Sequence, residues 1–98
     1  MPYIVADHFV ADAERFWNGA AAAVPHLPAG VTLHATYRQH DGSRAICLWE
    51  ADSVDAVRKI VGDSVGGSAR NEFFEVDPQH AFALGLPASA SAAAQAQT

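Results

Sequence analysis

The chain has 98 residues, of which 50% are hydrophobic and 17% charged, and its formal net charge at pH 7 is −5. This length predicts a single small domain with one hydrophobic core. A phosphate-binding surface needs clustered cations, and only Arg58 and Lys59 are adjacent among the six basic residues, so the composition argues against a nucleic-acid or anionic-membrane surface.

The first part of the chain predicts a strand, a helix and a second strand. Tyr3–Phe9 is rich in residues that favour strands and alternates between two faces. Asp12 is a suitable N-cap for a helix over residues 13–24, which Pro25 ends. After a loop bracketed by prolines, residues 31–38 alternate again and predict the second strand.

The second part of the chain predicts a hairpin followed by another helix and strand. Asp41-Gly42 is a strong turn signal between two strand-like runs. Ser53 is expected to cap the helix, and Gly62 to end it. The predicted elements after the turn are a strand over residues 44–50, a helix over 54–61 and a strand over 72–76.

The order β-α-β-β-α-β predicts a ferredoxin-like α+β domain over residues 1–86, with two helices on one face of a four-stranded antiparallel sheet. The segment PQHAFALGL is expected to form a last helical turn or an arm. Residues 87–98 are expected to be a disordered Ala/Ser/Gln tail.

The sheet face without helices is expected to pack against a second copy of the chain and to enclose a ligand cavity. Large apolar patches are rarely left bare, and a homodimer would cover this one. A slip of one residue would move His8 or His34 to the other face, so the face of these two histidines stays open at this point. The residues predicted to line the cavity are His8, His34, Thr36, Arg38, Cys47 and Trp49.

Three segments, MPYIVADHF, AICLWEADSVDAVRKI and NEFFEV, resemble the small nickel-binding-like domains of the dimeric α/β-barrel superfamily. Members commonly show CLYEAPSAEAV where this chain has CLWEADSVDAV, and the resemblance covers most of residues 2–76. It implies a homodimeric α/β barrel that binds a small ligand or a transition metal; most members have no assigned function. His8 and Cys47 match the recurrent family residues, whereas the second helix lacks the histidine that members tend to carry.

His8, His34 and Cys47 form a candidate transition-metal site. They would supply two imidazole nitrogens and a thiolate, which suits zinc, nickel or copper. None of them shares a tight spacing such as HxH or CxxC with another. Alternatively, Cys47 is a nucleophile or a small buried hydrophobe in a central strand, and the histidines are half-exposed strand residues.

The alternative function is a cofactor-free small-molecule enzyme of oxygenase, cyclase or isomerase type. His34 would act as general base, with Thr36 or Arg38 orienting an anionic or carbonyl group. Trp49 could stack on the ligand, and His80 would reach the pocket if the arm folds over the sheet. The chain contains neither a P-loop nor a G-x-S-x-G motif. A third alternative is an assembly protein without a small ligand.

The cellular compartment is predicted from cysteine use and from the N-terminus. A single cysteine excludes an internal disulfide and fits a reducing cytoplasm. No apolar run reaches the roughly 18–20 residues that a membrane-spanning helix needs. The stretch MPYIVADHFVADAERF has no basic segment ahead of an apolar one, so a signal peptide is not expected.

Overall fold

The computed structural model describes residues 1–89. Its elements follow the predicted order and are β1 (Tyr3–Val10), α1 (Ala13–Ala23), β2 (Thr32–Arg38), β3 (Arg44–Glu50), α2 (Val54–Val65) and β4 (Ala69–Glu75). The predicted disorder of the tail concerns mainly residues 90–98, which lie outside the described residues. Residues 87–89 have no regular secondary structure.

The four strands form one antiparallel sheet in the order β2-β3-β1-β4. Together with the two helices, this order confirms the ferredoxin-like α+β fold. The register pairs Ala6 of β1 with Cys47 of β3, and His8 of β1 with Asn71 of β4. The two central strands are β3, which pairs with β2 and β1, and β1, which pairs with β3 and β4.

The predicted start signals of the helices and the turn are confirmed. The Asp12 side chain accepts a hydrogen bond from the backbone N–H of Arg15 at 3.1 Å, and Ser53 Oγ accepts one from Ala56 N–H at 3.1 Å. Each bond satisfies an N–H that the helix itself leaves without an acceptor. In the β2–β3 turn, Gly42 has a φ of 76°, a conformation that favours glycine.

The predicted end of the second helix is wrong, because α2 continues past Gly62 to Val65. Val57, Val61 and Val65 lie four residues apart and are all buried. The extra turn therefore adds a third side chain to the apolar stripe, which outweighs the low helix propensity of one glycine. The helix ends at Gly66, whose φ is 54°.

Both helices pack on the same face of the sheet, and the core lies between them and the strands. Its buried members are Ile4, Ala6, Phe16, Cys47, Trp49, Ala51, Val57, Val61 and Val65. The expectation that Cys47 and Trp49 face the side without helices is therefore wrong. The same holds for His8, which is 2% exposed and belongs to the same row of β1 as Ile4 and Ala6.

The physical reason for this choice of face is charge. Asp7 and Arg44 lie on the other face of β1 and β3, where they form an ion pair of 3.0 Å. The residues of β1 and β3 that share a face with Ile4 and Cys47 include no charged residue. Helices can therefore cover this face without burying a charge. That face is thereby the one that the helices bury.

A β-bulge interrupts β2 between Leu33 and Ala35. The bulge breaks the alternation on which the predicted faces of β2 rest. Leu33 pairs with Trp49 and Thr36 with Cys47, so both lie on the helix-covered face. His34 lies at the bulge itself, where the pairing of β2 with β3 shifts, and it contacts Tyr3 and Glu50.

After β4 the chain forms a short helical turn, Pro78–His80, and then an arm with a second turn, in which the Gly85 N–H donates to the Phe82 carbonyl at 3.1 Å. The Tyr3 hydroxyl donates a hydrogen bond to the carbonyl of Pro87 at 2.6 Å, so the arm returns to the start of β1. Within residues 1–89 neither helix combines the length and the hydropathy that crossing a bilayer requires.

Candidate functional site

A cavity of about 400 Å³ lies between the sheet and the two helices. The helices supply Phe16, Trp17 and Val61, and the loop before β2 supplies Leu27. The floor consists of side chains from the helix-covered face of the sheet, such as Leu33. The walls are therefore almost entirely apolar.

Four of the six predicted pocket residues contribute to the walls of this cavity: His8, Thr36, Cys47 and Trp49. The cavity lies on the helix side of the sheet rather than on the side predicted to contact a second copy. His34 and Arg38 are not among its lining residues.

His8 is held in one orientation by β4. Its Nδ1 atom lies 2.6 Å from Asn71 Oδ1, and Asn71 Nδ2 faces the Ala69 carbonyl at 3.5 Å. An amide oxygen has no hydrogen to give, so Nδ1 carries the proton and donates it. Burial lowers the pKa of His8, although Asn71 and Asp7 partly oppose this effect. The ring is therefore neutral at pH 7, with a lone pair on Nε2.

Cys47 is buried, and its thiol faces a neighbouring strand. Its Sγ lies 3.5 Å from Thr36 Oγ1, a distance at which either group can donate. Burial raises the pKa of the Cys47 thiol, and the contact with Thr36 opposes this only in part. The thiol is therefore protonated at neutral pH and is a weak nucleophile.

Two tryptophans line the cavity, Trp17 from α1 and Trp49 from β3. The Trp17 Nε1–H donates to the Gly42 carbonyl at 3.0 Å and so ties α1 to the β2–β3 turn. Trp49 is 5% exposed, and its Nε1 is the one buried side-chain nitrogen or oxygen in residues 1–89 without a hydrogen-bond partner. A buried N–H without an acceptor lowers stability, and full burial keeps this one out of reach of a molecule in the cavity.

His34 belongs to a separate polar cluster at the other face of the sheet. Its Nε2 lies 3.0 Å from Glu50 Oε1, and its ring stacks on Tyr3 at a centroid distance of 5.5 Å. The Glu50 side chain is only 2% exposed. A buried carboxylate beside an imidazole orients the ring, an arrangement that general bases also use.

The remaining predicted residues lie outside the cavity. Arg38 is exposed, and its guanidinium carbon lies 4.8 Å from the centroid of the Trp17 ring. It contacts a lining residue without lining the cavity itself. His80 forms an exposed pair with Asp77, at 2.7 Å, in the turn after β4.

The structure does not bring the three predicted metal ligands together in one chain. His8 and Cys47 line the same cavity, whereas His34 is paired with Glu50 at the other face. Across residues 1–89, no group of three or more His, Cys, Asp and Glu side chains has the geometry of a metal site.

Sequence reasoning missed Asn71, which sets the orientation of His8. The sequence does contain an indication, because Asn71 is a polar residue at the start of a strand rich in phenylalanine. Its partner becomes evident only from the register of β1 and β4, which no local pattern contains. The buried contact of Glu50 with His34 likewise becomes evident only from the pairing of β2 with β3.

The chain matches no protein-family model, and no curated protein matches it significantly.

Proposed function

We propose that this chain binds a small, largely apolar molecule in the cavity between its sheet and its helices. The observation that carries the proposal is a space of about 400 Å³ with apolar walls inside a domain of 98 residues. The space opens to solvent beside Val24, which is exposed, so it is a cleft that a molecule can enter, and its apolar walls lack packing partners while it is empty. Small-molecule sites have this character, with roughly 300–1,000 Å³ and a few polar groups among apolar walls.

The polar groups of the cavity restrict the chemistry of such a ligand. Thr36 and Cys47 are neutral and face each other, and His8 is kept neutral by burial. Within residues 1–89, no Asp, Glu, Lys or Arg side chain lines the cavity. A net charge on the buried part of the ligand would lose its hydration without gaining an ion pair. The buried part is therefore expected to be uncharged.

The proposal is tested by titrating ¹⁵N-labelled protein with 1-methylnaphthalene and following the indole N–H signals of Trp17 and Trp49. Both residues line the cavity, so both signals are expected to shift and to saturate together. Ala20 lines the cavity from α1, whereas Ala22 on the same helix is exposed. Ala20→Phe should abolish binding and Ala22→Phe should retain it. Shifts that do not saturate in the wild-type protein would contradict the proposal, and so would equal binding by the Ala20→Phe and Ala22→Phe variants.

We also propose that the sheet face without helices packs against a second copy of the chain. Tyr37 and Phe74 on this face are 70% and 55% exposed, and a second copy of the chain would cover these large apolar side chains. The ion pair of Asp7 and Arg44 lies between them in the sheet. A face that carries both signs of charge is complementary to itself under two-fold symmetry.

Sedimentation equilibrium tests the dimer. Phe74→Lys places a charge on the sheet face and is expected to shift a dimer to monomer, whereas Ala22→Lys on the exposed face of α1 should leave the mass unchanged. A wild-type protein that stays monomeric at millimolar concentration would overturn the dimer. Ligand binding inside the cavity does not depend on this result, because all lining residues come from one chain.

Transition-metal binding is a separate proposal that rests on the resemblance to nickel-binding-like domains. His8 and Cys47 share the cavity and would hold nickel or zinc there, with the remaining ligands supplied by solvent or a bound molecule. Titration with nickel or zinc, monitored by calorimetry, tests it. Binding that is as weak as in a Cys47→Ser variant would contradict it. The single cysteine also agrees with a reducing compartment such as the cytoplasm.

Catalysis with His34 as general base is the second candidate function. The contact between His34 Nε2 and Glu50 Oε1 favours it, because the carboxylate would stabilise the ring as it accepts a proton. Compounds that bind the protein are incubated with wild type and with His34→Gln, and the products are separated by mass spectrometry. Turnover by wild type that the variant loses would support it, and unchanged compounds would contradict it.

A further inference from the structure

His8 lines the cavity and has one ring nitrogen without a hydrogen-bond partner among residues 1–89. Its Nδ1 is used by Asn71 on β4, and Nε2 makes no hydrogen bond with any residue from 1 to 89. The ring is 2% exposed to solvent and lines the cavity. Nε2 is not among the fully buried atoms of residues 1–89 that have no partner, so the small surface that the ring exposes includes this nitrogen.

The orientation of the ring directs Nε2 toward the cavity. Asn71 belongs to β4, which contributes no lining residue, whereas β2 and β3 on the other side of β1 contribute Leu33 and Cys47. Nδ1 and Nε2 lie on opposite sides of the imidazole Cε1. Because Nδ1 is turned to β4, Nε2 lies on the side of the ring that faces the cavity.

We propose that the cavity selects a neutral molecule with an apolar body and one hydroxyl group, and that this hydroxyl donates a hydrogen bond to His8 Nε2. The inference rests on the proposed function and adds the chemical class of the ligand. Asn71 is a positioning residue, because it fixes the tautomer that leaves Nε2 as an acceptor. Phenols and alcohols belong to this class.

The apolar walls favour a neutral hydrogen-bond donor over a charged one. A hydroxyl group donates to the acceptor at His8 without bringing a charge into the cavity. An alkylamine would be protonated at neutral pH and would bring a charge into an apolar space. The Trp49 Nε1–H is fully buried, so it is not expected to contact the ligand.

The experiment compares 1-naphthol with 1-methylnaphthalene, which has nearly the same shape and no donor. Wild-type protein is expected to bind 1-naphthol about tenfold more tightly in an NMR titration, the effect of one additional hydrogen bond in a buried site. The ¹⁵N signal of His8 Nε2 should move with 1-naphthol and stay in place with 1-methylnaphthalene. His40→Gln, in the exposed turn before β3, should keep the tenfold ratio.

Two variants test the residues that carry the inference. His8→Phe combined with Asn71→Leu removes both hydrogen-bonding partners at once, so no buried polar atom is left behind, and the ratio should fall to about one. Asn71→Asp places a carboxylate at Nδ1 and favours the protonated ring, in which Nε2–H donates. This variant should gain affinity for 1-methoxynaphthalene relative to 1-ethylnaphthalene, which a merely structural role of Asn71 would not produce.

The outcomes separate this inference from the proposed function. If wild type binds both naphthalenes with equal affinity, the cavity is a binding site and the hydroxyl preference is refuted. If neither compound binds, the proposed function fails and the hydroxyl preference fails with it. A tenfold ratio that persists in the double variant would assign the preference to another group and overturn the role of His8.

Discussion

The imidazole of His34 and the carboxylate of Glu50 meet at 3.0 Å, with the Glu50 side chain 2% exposed and the His34 side chain 12% exposed. His80 and Asp77 form a second pair of the same kind at 2.7 Å, but with side chains 69% and 60% exposed. The two pairs share their chemistry and differ in burial. They therefore allow the contribution of burial to be measured within one protein.

Replacing His34 by alanine is expected to lower the free energy of unfolding by about 2 kcal/mol. The variant removes a hydrogen bond to a buried carboxylate together with the stacking contact to Tyr3. His80→Ala should change stability by less than about 0.5 kcal/mol, since exposed pairs contribute little. Urea unfolding followed by tryptophan fluorescence measures both values. Equal effects in the two variants would show that burial of the His34 pair is unimportant.

The acid stability of the protein should depend on His8. Burial lowers the pKa of His8, so at a pH below about 6.5 the unfolded chain binds a proton that the folded chain does not. The free energy of unfolding should therefore fall as the pH decreases through 6.5, and level off below the pKa of the folded state. Asn71 and Asp7 act in the opposite direction and reduce the size of this fall.

The pH dependence is measured by urea unfolding between pH 5 and 8. The double variant His8→Phe, Asn71→Leu lacks the titrating group and should show a flatter dependence, because the other histidines and carboxylates are common to both proteins. A ligand that does not itself titrate and that binds Nε2 of neutral His8 should make the free energy of unfolding fall more steeply as the pH decreases. Parallel curves for wild type and variant would contradict the assignment.

The features that sequence reasoning identified are local ones. Asp12 and Ser53 act through hydrogen bonds three residues away, and Gly42 through its own φ, so a short stretch of sequence contains each cause. The face of Cys47 is a different matter, since it depends on which of two apolar rows the helices cover. The charges of Asp7 and Arg44 decide it, although they belong to two different strands.

The candidate site was harder to predict because it depends on long-range register. His8 and Asn71 are 63 residues apart, and their contact follows from the pairing of β1 with β4. The bulge after Leu33 separates His34 from Thr36, whereas simple alternation had placed both on one face. The residue types of the pocket could be predicted from the sequence. Which of them lie together could not, because that depends on how the strands pair in the sheet.

Cys47 is expected to react slowly with iodoacetamide. Its thiol is buried and burial raises its pKa, so both access and the thiolate fraction are reduced. At pH 7.5 the folded protein should be alkylated more than about tenfold more slowly than the same chain in urea, as measured by mass spectrometry. Because Thr36 lowers the pKa of the thiol, Thr36→Val should slow the folded reaction further. A rate equal to that in urea would mean that the cavity is open to solvent at Cys47.

The two mid-helix glycines, Gly19 of α1 and Gly62 of α2, are expected to respond to alanine with opposite signs. A Cβ at Gly19 would lie 2.5 Å from the backbone oxygen of Ser64 on α2, whereas a Cβ at Gly62 would meet no atom within 4 Å. Gly19→Ala must therefore push the helices apart and should cost about 1–3 kcal/mol. Gly62→Ala should stabilise by about 0.5–1 kcal/mol through helix propensity alone.

Thermal unfolding of the two alanine variants measures this difference. Since Ser64 also lines the cavity, the shift of α1 away from α2 in Gly19→Ala should weaken binding of 1-methylnaphthalene as well. Gly62→Ala should leave binding unchanged, because Gly62 is not a lining residue. If both variants are stabilised, the close approach of α1 and α2 at Gly19 does not limit the packing of the two helices. The separation of the helices then cannot be what sets the size of the cavity.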